Sequence, residues 1–86
     1  MKIYKKITNA LDLPKEVTLD YPKITLMGDE GLTVENHKGL IEFSQTVIRL
    51  NTKIYILKVS GENLDIKNIS EDEIEIFGRI TALTMS

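Results

Sequence analysis

Residues Lys53-Ile54-Tyr55-Ile56-Leu57-Lys58-Val59 contain the longest run of apolar side chains in the chain, and they are rich in β-branched and aromatic residues. Read with the two-residue period of a strand, Ile54 and Ile56 point one way, and Tyr55, Leu57 and Val59 the other. A half-buried strand shows one apolar face. This stretch shows two, which predicts an inner strand with others laid beside or over it, and Ile56 in its core.

Around that stretch the chain alternates apolar and polar residues in short runs. Ile24 and Leu26, Leu32 and Val34, Ile41 and Phe43, Ile48 and Leu50, Leu64 and Ile66, Ile74 and Ile76, and finally Ile80 and Ala82 mark the runs. Between them lie turn-forming clusters: Gly28–Gly31, Asn36–Gly39, Ser44-Gln45, Asn51-Thr52, Ser60–Asn63 and Ser70–Asp72. Recurrence about every eight residues is the pattern of an all-β sandwich or barrel. The expectation is seven or eight short strands in a small antiparallel sandwich or barrel-like meander over residues 23–86.

Segments also resemble one another at longer range. Leu32-Thr33-Val34-Glu35-Asn36 resembles Leu64-Asp65-Ile66-Lys67-Asn68, and Gly28 matches Gly61, at a nearly constant offset. Two similar halves packed on each other would close a core neither could close alone. The same spacing permits a short β-solenoid, in which strands stack in parallel coils. A string of evenly spaced strands also matches itself at a four-strand shift without any duplication.

Residues 1–22 read differently. Ile3, Ile7, Ala10 and Leu11 share one helical face, and Lys2, Lys5 and Lys6 lie largely on the other. Pro14 disfavours helical dihedrals at Leu13. The prediction is a short amphipathic helix followed by a connector. A helix this short is marginal alone in water, so it needs a surface: its own β domain, a partner, or a membrane, with lysines toward anionic headgroups.

Composition narrows the partners. With 11 basic and 13 acidic residues the net charge is −2, so no strong field draws nucleic acid. No apolar run approaches the roughly 18 residues of a membrane span, and the first lysines are not followed by the apolar core of a signal peptide. There are no cysteines and one histidine, His37, so a zinc site of His and Cys ligands is not expected. No serine sits in a recognisable arrangement with a base. Gly28-Asp29-Glu30-Gly31 carries two acids where a phosphate would bind. Glu71, Asp72, Glu73 and Glu75 lack the spacing and glycine of a calcium loop and read as a solvated turn. The expectation is a chain that works by contact, without catalytic residues, cofactor or metal. Thr33, Glu35, Glu42, Arg49, Asp65, Lys67, Glu73 and Glu75 form its water-facing side, broken by Tyr21, Met27, Leu40, Val47 and Phe77. His37 reads as a turn histidine, solvated or bonded to nearby backbone; the alternative joins it to Lys38 and Arg49 in a contact surface.

Three segments carry a resemblance: Leu13-Pro14-Lys15-Glu16-Val17; Tyr21-Pro22-Lys23-Ile24-Thr25-Leu26-Met27-Gly28; and Val34-Glu35-Asn36-His37-Lys38-Gly39-Leu40 with Phe43. Together they resemble the YabP/YqfC family of sporulation proteins, most closely its YqfC branch, and Gly61, Leu64, Ile66, Ile74 and Gly78 fit its second half. The resemblance implies a role in endospore formation, in the mother-cell cytoplasm, peripheral at a membrane or the spore coat. It implies no reaction. The partner expected is another sporulation protein, membrane-bound or not, or a second copy of the chain. Candidate contact residues are Glu35, Asn36, His37, Lys38 and Gly39 in the matching turn, with Ile3 and Ile7 on the N-terminal segment.

Overall fold

A computed structural model describes residues 20–86. The N-terminal helix and the positions of Ile3 and Ile7 lie outside the described residues. The described chain forms six strands: β1 (Lys23–Met27), β2 (Gly31–Glu35), β3 (Leu40–Phe43), β4 (Val47–Asn51), β5 (Ile56–Ile69) and β6 (Glu73–Met85). They make one sheet in the order β1-β2-β6-β5-β4-β3. Every neighbouring pair is antiparallel, which excludes the parallel coils of a solenoid.

The all-β expectation holds, but the strand count does not. The two segments expected on either side of Ser60–Asn63 are one 14-residue strand, β5, and those on either side of Gly78 are one 13-residue strand, β6. What reads as a turn is a bulge. The β5–β6 register shifts between Ser60 and Gly61, and again between Glu62 and Asp65. A bulge bends a strand without ending it. Two glycines permit the bend because the strands cross closely there. A Cβ on Gly61 would overlap the carbonyl oxygen of Arg79, and one on Gly78 would lie 2.6 Å from that of Asn63. Gly78 also holds φ at +131°, which side chains rarely adopt.

The bends divide the sheet into halves. One comprises β1, β2, the first part of β6 and the last part of β5. The other comprises β3, β4, the first part of β5 and the last part of β6. Leu32, Val34, Ile74 and Ile76 of the first half, Ile48, Leu50, Leu57 and Val59 of the second, and Leu64 at the bend form a single core, each at most 2% exposed. Burying an aliphatic side chain of this size contributes about 1.5–3 kcal/mol. Leu26 of β1 lines a cavity of about 310 Å³ with Ile80, Ala82 and Leu83, so β1 lies near the part of β6 beyond the bend.

The halves are related by an approximate twofold. Leu32 pairs with Ile76 as Ile48 pairs with Val59, and Val34 with Ile74 as Leu50 with Leu57. The hairpin loops repeat the correspondence. Gly78 N–H donates to Glu30 O and Ile80 N–H to Asp29 O, while Gly61 N–H donates to Thr46 O and Leu64 N–H to Gln45 O. Leu32 thus corresponds to Ile48, Val59 to Ile76 and Gly61 to Gly78, at about half the spacing of the resemblance read from the sequence. That longer-range resemblance therefore does not mark the duplication: it sets β2 against the end of β5, two strands apart in the same half.

The Lys53–Val59 stretch is only partly as expected. Ile56–Val59 does occupy an inner strand, between β4 and β6. Only one of its faces enters the core, through Leu57 and Val59; Ile56 is half-buried on the opposite face and Ile54 is 50% exposed. Ile54 and Tyr55 belong to a turn held by Thr52. Its hydroxyl accepts from the N–H groups of both residues and donates to the carbonyl of Tyr55. That local bonding outweighs strand propensity at Ile54.

Candidate functional site

The turn Asn36–Gly39 is the crossover from the first half to the second, and the bonds that fix it come from three other parts of the chain. Asn36 sits at φ +67°, a left-handed conformation that asparagine tolerates better than most residues. Its N–H and that of His37 both donate to the carbonyl of Asp72, in the β5–β6 turn. Its side-chain amide donates to the Tyr21 carbonyl at 3.0 Å. Lys38 N–H donates to Asn51 O at 2.7 Å, and Asn51 N–H to Gly39 O at 2.8 Å.

His37 closes this network from inside. It is 4% exposed, so of the two forms expected of this turn histidine the solvated one is excluded and the one bonded to nearby backbone is found. Nδ1 lies 3.1 Å from Gly39 N–H, which can only donate, and Nε2 lies 3.0 Å from Ser70 O, which can only accept. The tautomer with its proton on Nε2 makes both bonds. The bond to nearby backbone was legible; the one to Ser70, far along the chain, was not. The grouping of His37 with Lys38 and Arg49 does not form. Lys38 is exposed and pairs with Asp20 at 3.9 Å, and Arg49 pairs with Glu42 at 3.3 Å. Glu35 and Asn36 are half-buried and border a small polar hollow with Asp72 and Glu73.

Of the apolar residues that break the polar side, Val47 is half-buried in β4 and the others fall in two regions. On the outer face of the first half, Met27 and Phe77 flank Gly31 in register, and Lys67 Nζ lies 5.8 Å from the centre of the Phe77 ring. Tyr21 is half-buried, with Lys53 Nζ 5.9 Å from its ring centre. The second region is β3. All four of its residues are exposed, and three are large and apolar: Leu40 (41%), Ile41 (46%) and Phe43 (49%). Leu40 and Phe43 pair with the core residues Leu50 and Ile48, so they lie on the core side of the sheet at its open edge. Ile41 occupies a bulge. The sequence reading set Ile41 and Phe43 in one alternating run and Leu40 on the polar side; alternation reports neither the bulge that places Leu40 with Phe43 nor whether another layer covers them.

Among the described residues no three His, Cys, Asp or Glu side chains converge to hold a metal, and no buried side-chain nitrogen or oxygen lacks a partner. There is no helix long and apolar enough to cross a membrane among them. What the geometry offers is an apolar strip beginning where the cross-tied turn ends.

Fold and surface define a small antiparallel β domain built from two facing halves. The YabP family model matches residues 19–86. Over 74 residues the chain is 40% identical to "Uncharacterized protein YqfC" of Bacillus subtilis (strain 168), covering 86% of this chain and 80% of that protein. The chain belongs to the YabP family.

Proposed function

We propose that this protein acts in endospore formation as a noncatalytic contact protein, binding another sporulation protein at a membrane or the spore coat. The single observation that carries the contact role is β3. Three large apolar side chains stand exposed on one four-residue edge strand, Leu40 and Phe43 of them on the same side of the sheet, and exposed apolar surface of this kind marks an interaction site. The setting rests on membership of the family. The Glu35–Gly39 turn serves this surface indirectly: it fixes the start of β3 through Lys38 and Gly39, while His37 stays inside. Contact with a membrane, in this reading, falls to the N-terminal segment with Ile3 and Ile7, on the strength of their spacing alone.

The test is to replace Leu40, Ile41 and Phe43 together with serine in a spore-forming host, and to compare spore yield with that of the gene deletion. The expected outcome is a deletion-like yield from a variant whose purified form keeps its β-sheet circular dichroism. A folded triple variant that supports normal spore formation would remove β3 as the working surface.

A further inference from the structure

Among the described residues the approximate twofold gives the sheet two corresponding edges, β1 and β3, and they are finished differently. β3 carries a bulge at Ile41 and an ion pair between Glu42 and Arg49. Bulges and charges are how sheets prevent an edge from pairing with another chain. β1 has neither. Its five residues pair with β2 in unbroken register, and its one charge, Lys23, stands at its end. Pro22 bounds the strand on one side, and Gly28, at φ +57°, turns the chain away on the other. Leu26 is 51% and Met27 46% exposed.

We propose that β1 is the edge through which two copies of this chain pair, antiparallel and centred on Thr25. The strand is self-complementary in that register. Residues directly opposite each other must share a face. Centring on Thr25 sets Ile24 against the partner's Leu26, Lys23 against the partner's Met27 and Thr25 against the partner's Thr25. Ile24 and Leu26 lie on the core side, where they meet apolar partners; Lys23, Thr25 and Met27 lie on the outer side. No like charges oppose each other, and cross-strand Thr–Thr pairs are favourable. Centring on Ile24 or Leu26 leaves part of the strand unpaired or sets it against the Gly28 turn. The contact is isologous, so it closes at two copies and leaves both β3 strips free. This goes beyond the sporulation reading, and either can fail without the other.

The chain has no cysteine, so Thr25→Cys introduces a single thiol. Opposed residues in an antiparallel pair have Cα atoms about 4.5–5.5 Å apart, within the span of a disulfide. The full chain is expected to sediment at the mass of two copies as concentration rises. Oxidised Thr25→Cys should become a covalent dimer, while Thr33→Cys, on the same face one strand inward, should not. Thr25→Lys and Thr25→Glu, each alone, should weaken association at least tenfold by opposing like charges. A 1:1 mixture of the two should restore it. The proposal is overturned by a single-chain mass at every concentration, by a dimer that tolerates Thr25→Lys, or by equal cross-linking at Thr33. A single-chain mass with slow amide exchange at Ile24–Leu26 would likewise overturn it.

Discussion

The two halves of the sheet agree inside and differ outside. Inside, Leu32, Val34, Ile74 and Ile76 answer Ile48, Leu50, Leu57 and Val59 position for position, and Gly78 answers Gly61. Outside, the first half sets Glu35 directly against Glu73 and carries Glu75 and Asp65 nearby, whereas the second sets Glu42 against Arg49. The edges differ as well, β3 bulged and β1 regular. Twofold packing constrains the residues that two halves share. It leaves free those that each half shows to water, and that is where partners are chosen.

The largest effects should test whether the inner equivalence is energetic as well as geometric. Leu57→Asp and Ile74→Asp each put a charge into a fully buried site, and both variants should be unfolded by circular dichroism. Ile56→Asp, at the half-buried outer position, should remain folded. The milder Leu57→Ala and Ile74→Ala should each cost about 2–5 kcal/mol in urea unfolding, within the usual range for buried aliphatic truncation. If one is much the cheaper, the halves are symmetric in outline only.

The glycines come next. Gly61→Ala meets backbone at Arg79, and Gly78→Ala adds an unfavourable φ to contact with Asn63 and Leu64. Each should cost about 1–3 kcal/mol, the usual range for forced overpacking and for a strained backbone position. Because the contacts lie on opposite strands of one hairpin, the double variant should depart from additivity. A free energy equal to the sum of the two would mean that the bends act independently.

These glycines also show why the sequence was only partly legible. Alternation located the core-facing residues of β2 and β4, Leu64 of β5, and Ile74 and Ile76 of β6. But it placed Ile56 in the core and Ala82 in an apolar run, where the structure has one half-buried on the outer face and the other exposed. The water-facing residues from Thr33 to Glu75 are likewise exposed or half-exposed. What alternation does not carry is continuity. Ser60-Gly61-Glu62-Asn63 has turn composition, and a bulge needs the same residues as a turn: Asn63 holds φ +53° in the middle of a strand. Nor does it carry coverage, so Ile41 and Phe43 read no differently from the runs that are buried. His37 was visible as a motif residue, but its burial depends on Ser70 and Asp72 folding back onto the crossover, which no local pattern encodes. The true repeat, at the shorter offset, was hidden because corresponding positions hold different aliphatics, Leu32 against Ile48 and Ile76 against Val59. The four-strand shift happened to give closer letter matches.

At the crossover the comparison is between His37 and Lys53, which occupy corresponding places just beyond β2 and β4. His37 is buried with both ring nitrogens bonded; Lys53 is exposed. His37→Ala leaves Gly39 N–H and Ser70 O without their partner, and should cost about 1–3 kcal/mol. Lys53→Ala should fall within about 0.5 kcal/mol of the parent, as surface changes usually do. Nitrogen-15 spectra of the His37 ring should show the proton on Nε2. A ring with the proton on Nδ1 would mean that the Gly39 bond is not made.

The smallest effects should separate the two outer faces by sign. Glu73 stands directly opposite Glu35, and like charges in that relation are destabilising. Glu73→Lys replaces a repulsion with an attraction and should stabilise the chain by about 0.2–1 kcal/mol. Glu42→Lys does the reverse opposite Arg49 and should destabilise it by a similar amount. Both pairs are solvent-accessible, so raising salt to 1 M, where screening acts within about 3 Å, should shrink both differences toward zero. A Glu73→Lys gain that persists in high salt would not be electrostatic. It would point instead to packing of the longer side chain along the outer face, and so to a surface less free of structural duty than the contrast between the halves suggests.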